Sequence, residues 1–185
     1  MDIRDPGALR ALAHPLRFAL LELLLTEGEA TATRCAQILD ESPSNLSFHL
    51  RTLAKHGYIE AVPGGSGRQR PWRLVDTQQR IKMEDSAAGR QAGAVFSEFF
   101  VENEFARIRS WLRRAPNEGE WRDATNLGAS IAFVTREELR DLEHEIEALL
   151  LKHEDRVADP SKRPEGSRPV RIFVATSVGE HGQGS

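Results

Sequence analysis

The segment from Ser42 to His56 combines hydrogen-bonding and cationic side chains at helical spacing. Leu46, Leu50 and Leu53 recur at i, i+4 and i+7, so they define one buried face of a helix. The other side of the helix carries Ser44, Asn45, Ser47, Phe48 and Arg51. An Asn amide can pair with adenine, an Arg guanidinium with guanine or phosphate, and a phenyl ring with a thymine methyl. The chemistry this face could perform is therefore recognition of DNA.

A glycine-rich turn follows this helix and carries further cations. The run from Tyr58 to Val62 and the alternating run from Gln69 to Val75 flank the glycines of residues 64–67, which is typical of a β-hairpin. Arg68 and Arg70 stand at its tip, where they suit phosphate or minor-groove contacts. The turn leads into a strand rather than a helix, so it is a hairpin tip and not a nucleotide-binding loop.

Three helices are predicted to position these two elements. Asp5 with Pro6 begins the first, and the second runs to about Glu27 and is apolar nearly all round, which predicts burial. His14 before Pro15 marks a break between them. We predict a short third helix that is capped by Thr33 and ends at Leu39.

A three-residue turn, Asp40 to Ser42, leads into the candidate recognition helix. Ser42 is a strong N-cap followed by Pro43, and Gly57 ends the helix after His56. Two short helices, a three-residue turn and a basic hairpin together predict a winged helix-turn-helix.

Charge is distributed unevenly along the chain. The 185 residues carry a net charge of −3, which argues against a basic nucleic-acid binder when taken as a whole. Between Ser42 and Val75, however, five basic residues stand against Glu60 alone, a local charge of +4. From Arg113 onward, fourteen acidic residues outnumber eleven basic ones. The local charge therefore favours DNA as a partner of the first half.

Several classes are excluded by composition. A single cysteine, Cys35, rules out an internal disulfide framework. The longest apolar stretch, Leu16 to Leu25, is interrupted by Arg17 and Glu22, so we expect no membrane span, and the N-terminus lacks a secretory pattern. We see no nucleophile–base pair and predict a cytoplasmic protein that is not an enzyme and needs no cofactor.

The second half contains one long helix and a mixed region. Residues 86–112 carry apolar and aromatic residues at helical spacing. Thr135 and Glu138 form a capping box that begins a helix to about Glu154. We predict strands at 126–134 and 169–177 that pair with each other, and a flexible tail at 179–185.

The runs 11–20 (ALAHPLRFAL) and 42–57 (SPSNLSFHLRTLAKHG) resemble the ArsR-type bacterial winged helix-turn-helix transcriptional regulators. The resemblance covers roughly residues 5–76. It implies a homodimer that reads a near-palindromic operator, usually as a repressor. It also implies that Ser44, Asn45, Ser47 and His49 lie at the DNA face. The family often has Arg where this chain has Phe48, so we expect altered phosphate contacts or an altered base preference.

Metal sensing of the family's Cys-x-Cys type is not expected here. The corresponding positions are Thr31 and Thr33, which cannot bind a soft metal. Cys35 falls where the family usually has a core leucine, so we interpret it as a small buried hydrophobe. Asp141, His144 and His153 are interpreted as solvated surface.

The expected fold is mainly α with small β: a winged helix-turn-helix domain at 1–76, and a C-terminal α+β dimerisation region at 77–178. Because the family's dimers form through helices flanking the DNA-binding domain, we assign the 86–112 helix to the dimer interface. The predicted DNA contacts are Pro43, Ser44, Asn45, Ser47, Phe48, His49, Arg51, Arg68 and Arg70. The predicted dimer contacts are Phe96, Phe99, Phe100, Ile108 and Leu112.

Two alternatives stay open. The chain could be a protein-interaction module that keeps the winged-helix fold without specific DNA binding. An unknown small-molecule effector could also occupy a pocket lined by Phe99, Phe100, Trp111 and Trp121, although a purely structural dimerisation unit is the preferred interpretation of that half.

Overall fold

The computed structural model describes residues 2–3, 5–63, 70–76, 80–81, 86–114 and 119–179. Its helices are α1 (Pro6–Leu12), α2 (Pro15–Glu27), α3 (Ala32–Leu39), α4 (Pro43–Lys55), α5 (Ala87–Arg114), α6 (Arg136–Leu151) and α7 (Asp155–Ala158). Its strands are β1 (Asp2–Ile3), β2 (Glu29–Thr31), β3 (Ile59–Ala61), β4 (Pro71–Leu74) and β5 (Arg80–Ile81). Short 3₁₀ turns lie at Gly119–Trp121 and Pro160–Lys162.

Side-chain caps set the helix starts. Asp5 accepts a hydrogen bond from the Ala8 amide at 2.7 Å, and Ser42 accepts one from the Asn45 amide at 3.2 Å, as predicted. The cap of α3 differs from the prediction. Thr31, not Thr33, accepts the Arg34 amide at 3.2 Å, because the helix begins at Ala32.

The predicted hairpin is present and is extended by a third strand. β3 and β4 pair antiparallel, with Ile59 opposite Leu74. β2 pairs with the other edge of β4, with Ala30 opposite Trp72, which gives the order β2–β4–β3. Strand β2 has only three residues and a single buried apolar side chain, too short a run for alternation to reveal it.

The core lies where α1 to α4 meet the sheet and the first half of α5. The fully buried side chains include Leu9, Leu20, Leu24, Leu46, Leu50, Leu53, Tyr58 and Ile59. From α5, Ala92 and Phe96 join the same cluster. Burying one leucine side chain stabilises the fold by roughly 1.5–3 kcal/mol, so the three leucines of α4 fix that helix firmly on α2 and α3.

The C-terminal strands predicted at 126–134 and 169–177 do not form. Residues 125–135 and 167–179 are neither helix nor strand, and Ile131, Phe133 and Val170 are exposed. Apolar and polar residues do alternate in these runs. A strand, however, also needs a neighbouring strand to hydrogen-bond its backbone N–H and C=O groups. Within the described residues, neither run has one.

Helix α6 forms with the predicted capping box. The Thr135 amide donates to Glu138 Oε2 at 2.7 Å, and the Glu138 amide donates to Thr135 Oγ1 at 3.2 Å. The helix ends at Leu151 rather than Glu154. Its Leu142 and Leu149 are exposed, so no other described part of the chain buries them.

Candidate nucleic-acid interface

Helices α3 and α4 form a compact helix-turn-helix. Residues 40–42 connect them, and Asp40 adopts the left-handed conformation with φ of 53°, which Asp tolerates better than most residues. Gly57, with φ of 74°, ends the second helix and turns the chain into β3. The predicted three-residue turn is confirmed.

The outward face of α4 is polar with one aromatic residue. The exposed residues are Pro43, Ser44, Asn45, Phe48 and Arg51. Phe48 is a large apolar side chain that is 59% exposed, although its ring packs edge-on against that of His49 with centroids 5.3 Å apart. Ser47 is half-buried, and its hydroxyl donates to the Pro43 carbonyl at 2.7 Å, so its oxygen keeps only acceptor capacity.

An acidic residue that the sequence analysis missed lies beside this face. The Asn45 amide group donates to Glu41 Oε2 at 3.1 Å. The i, i+4 spacing of the two residues could have revealed the pair. The bond orients the Asn45 side chain, and it places a carboxylate beside the exposed N-terminal turn of α4.

The expectation that His49 lies on the DNA-facing surface is corrected. The residue is only 7% exposed, and its ring lies 4.6 Å from that of His14, centroid to centroid. Burial lowers the pKa of His49, and the neighbouring His14 and Arg17 lower it further. His49 therefore joins α4 to the start of α2 as a neutral ring, and it is left out of the interface.

The hairpin of β3, β4 and the residues that connect them is called the wing. At its described base, one arginine is available to an external partner and the charge of another is neutralised by a glutamate. Arg70 is exposed, and its Nε donates to the Val62 carbonyl at 3.4 Å. Arg73 is paired with Glu60 at 2.8 Å, which cancels its charge. Arg68 and the rest of the tip, residues 64–69, lie outside the described residues. In the part of the chain that the structure describes, Arg51 makes no ion pair.

Cys35 is buried, and the residues that the structure describes form no metal-binding cluster around it. It is fully buried in the core, and burial raises the pKa of its thiol to about 11. Among the described residues, no group of three or more His, Cys, Asp or Glu side chains is arranged to hold a metal ion. Thr31 is used as the cap of α3.

The aromatic residues of α5 largely face the core of their own chain. Phe96 is buried, and Phe99 and Phe100 pack edge-on against Phe18 of α2 with ring centroids 5.8 and 5.9 Å apart. Ile108 is half-buried and Leu112 is exposed. Of the five predicted dimer contacts, the structure thus brings three together inside the chain.

Among the described residues, the ring contact of Trp121 is a different one from the contacts of Phe99 and Phe100 with Phe18. It lies under the Arg168 guanidinium, whose central carbon is 5.3 Å from the ring centroid. The described contacts therefore do not form a pocket that joins Phe99 and Phe100 to Trp121.

Comparison with known proteins agrees with this geometry. Residues 12–60, which run from the end of α1 to the middle of β3, match the family model of a helix-turn-helix domain. This region is therefore a helix-turn-helix domain, the DNA-binding unit of many regulators. The match covers all of α4 but stops before the hairpin tip at 64–70.

The other comparisons add little. No curated protein sequence matches the chain. Among solved structures, the crystal structure of RV1404 from Mycobacterium tuberculosis is 20% identical and covers 64% of this chain and 77% of that one, with a TM-score of 0.33. A score of that size does not establish a common overall fold. None of the described helices is long and apolar enough to cross a membrane.

Proposed function

We propose that this protein is a homodimeric DNA-binding transcriptional regulator of the ArsR-like type that acts as a repressor in the cytoplasm. The observation that carries the proposal is the exposed polar face of α4 on a helix-turn-helix whose inner face is locked by three buried leucines. Helix α4 would lie in the major groove, and the wing at 64–70 would contact the backbone or the minor groove.

Individual roles follow from the exposed groups. Ser44, Asn45 and Phe48 would read base edges near the N-terminal turn of α4, and Arg51 would contact a phosphate. Helix N-termini attract phosphate, and Pro43 begins this helix. The negative charge of Glu41 would repel nearby phosphates. To read a base, Asn45 would have to exchange its hydrogen bond to Glu41 for a hydrogen bond to the base edge.

Dimerisation is supported by a second stripe on α5. Val101, Phe105 and Leu112 are exposed and Ile108 is half-buried, at spacings of four, three and four residues, so they share one helix face. A second copy of α5 is the occupant we propose for it. The two α4 helices of such a dimer would reach half-sites about one helical turn apart.

Sequence selection on random duplex DNA tests the proposal directly. The expected result is enrichment of a near-palindromic motif, with binding that weakens as salt increases. Because the Cys35 thiol is buried, omitting the reductant should leave the binding unchanged. If no motif is enriched and binding is absent at low salt, the proposal fails.

The protein-interaction module stays the second candidate, and one observation favours it. Phe48 is an exposed aromatic side chain on α4, and aromatic residues are enriched at protein–protein interfaces. The same selection separates the two functions, because an interaction module enriches no DNA sequence.

A further inference from the structure

The C-terminal segment 163–176 returns to the helix-turn-helix half of the molecule as a strap. The Arg163 guanidinium donates to the Thr26 carbonyl at the end of α2 at 3.0 Å, and the Thr176 hydroxyl donates to Glu143 of α6 at 3.0 Å. Between these two points the segment has no helix or strand. Side chains rather than a backbone ladder hold the strap in place.

Arg171 of the strap inserts between two carboxylates. Its Nε donates to Glu104 Oε2 at 3.2 Å, its Nη2 donates to the other Glu104 oxygen, and its Nη1 donates to Glu22 Oε1 at 2.8 Å. The planar guanidinium thus donates to three carboxylate oxygens, the geometry that suits a cation with fork-like donors. Glu104 is only 1% exposed, so its charge requires a partner.

An aromatic surface adjoins the carboxylates. The Arg171 guanidinium carbon lies 5.9 Å from the centroid of the Phe18 ring, and Phe173 packs on Phe100 with centroids 6.1 Å apart. Phe100 in turn stacks on the buried Phe96. The cleft between α2 and α5 therefore receives one cation and one ring, which Arg171 and Phe173 supply from positions two residues apart.

The two apolar residues beside Arg171 contribute little to this attachment. Val170 and Ile172 are 64% and 61% exposed, so they lose little apolar burial if the strap leaves. Arg107, on α5, pairs with the second oxygen of Glu22 and would stay there. Within the described residues, Glu104 has no cation other than Arg171, so an incoming cation would meet an uncompensated buried carboxylate.

We propose that this cleft, formed by Phe18, Glu22, Phe100 and Glu104, is an effector site for a small organic cation that carries an aromatic ring. Arg171 and Phe173 fill the site while the ligand is absent. A ligand that joins a guanidinium or ammonium group to a ring satisfies the same carboxylates and rings and displaces the strap. Cations of this kind bind aromatic rings and buried carboxylates together.

The regulatory consequence rests on the proposed function, but the site itself does not. Glu22 and Phe18 lie on α2, which packs against α4 in the shared core. Displacing the strap would remove the tie between α2, α5 and the C-terminal segment. An effector could therefore alter the setting of α4 on DNA.

The direct test uses the full chain with the double substitution Arg171→Ala and Phe173→Ala. The probe is 2-phenylethylguanidine, and the matched control is 2-phenylethylurea, which is neutral and has nearly the same shape. Calorimetric titration should show one guanidine bound per chain, and thermal unfolding should shift upward with the guanidine only. Adding Glu104→Gln to the double variant should weaken binding about 10-fold or more, because a charged hydrogen-bond pair is lost.

The wild-type chain and the single variant Phe173→Ala complete the experiment. In the wild type, Arg171 competes at an effective concentration on the order of millimolar, so the guanidine should bind more weakly than in the double variant. Phe173→Ala keeps Glu104 paired, so it should fold even if the double variant does not. Its affinity for the guanidine should lie above that of the wild type.

Specific results would overturn the proposal. A folded double variant that binds no guanidine, or that binds the urea equally well, contradicts it. If the double variant does not fold, equal guanidine affinities of Phe173→Ala and the wild type contradict it. None of these readouts involves DNA, so a failure of the proposed DNA binding would be seen separately.

Discussion

The two halves of the chain bury their apolar residues to very different extents. In the helix-turn-helix half, Leu46, Leu50 and Leu53 are completely buried against neighbouring helices. In the C-terminal half, Phe133 and Ile131 are almost completely exposed, and the leucines of α6 are partly exposed. The helix-turn-helix half buries most of its large apolar side chains in its own core. The C-terminal half leaves many of its apolar side chains exposed to solvent.

Local features were predictable from the sequence in both halves, whereas distant pairing was not. Helix caps and turns depend on residues three or four apart, so Asp5, Ser42, Gly57 and the Thr135 capping box were all located from sequence. A strand depends on a partner far away in the chain. Alternation at 169–177 therefore could not establish pairing.

Truncating one core leucine and one strap residue should show the largest contrast. Leu50→Ala removes a fully buried side chain of the hydrophobic core, and we expect it to lower the free energy of unfolding by about 2–5 kcal/mol. Ile172→Ala removes an exposed side chain and should change it by less than about 0.5 kcal/mol. Urea unfolding of both variants measures the contrast.

A comparable loss in the two variants would contradict the contrast between the halves. It would mean that residue 172 is covered in solution, for example by a second copy. Repeating Ile172→Ala over a range of protein concentrations identifies that case, because a dimer contact makes the loss concentration-dependent.

Arg171→Ala should have an intermediate effect, because this residue ties the two halves together. It leaves Glu104 buried without its cation, and removing one partner of a buried pair is costly. Since the Arg171 side chain is itself 44% exposed, solvent offsets part of that cost, and we expect about 1–3 kcal/mol.

Arg140→Ala, on the exposed face of α6, is the matched control for Arg171→Ala and should lie within about 0.5 kcal/mol of the wild type. Urea unfolding again gives both values. An Arg171→Ala chain as stable as Arg140→Ala would show that the strap is not attached in solution.

Acid should destabilise the helix-turn-helix half through His14 and His49. His14 Nδ1 accepts the Leu16 amide at 3.2 Å, which requires that nitrogen to be unprotonated, and burial lowers the pKa of both rings below the usual 6.5. The unfolded chain then binds protons more readily, so stability contributed by these rings is lost as pH falls through and below about 6.5.

The double variant His14→Asn and His49→Gln isolates this smallest effect. Asn keeps an N-cap for α2, and Gln cannot be protonated. The variant should lose less stability than the wild type between about pH 7.5 and pH 5.5, and the common contribution of Glu22, whose pKa burial raises, cancels in the difference. Parallel pH profiles for the two proteins would refute the role of the histidine pair.

The candidate interface was predictable only in part. Spacing located the exposed face of α4 because its leucines define the opposite side. The burial of His49 was not foreseen, because its partner His14 lies thirty-five positions earlier and no local pattern links them. The same holds for Glu104, whose burial depends on Arg171 from the far end of the chain.

The salt dependence of DNA binding tests the central claim most directly. The measurement compares the wild type, Arg51→Ala and Arg140→Ala on a selected operator at several salt concentrations. If α4 contacts phosphate through Arg51, the slope of log affinity against log salt should fall by about one for Arg51→Ala and stay unchanged for Arg140→Ala. Equal slopes for all three proteins would contradict the docking of α4 on DNA.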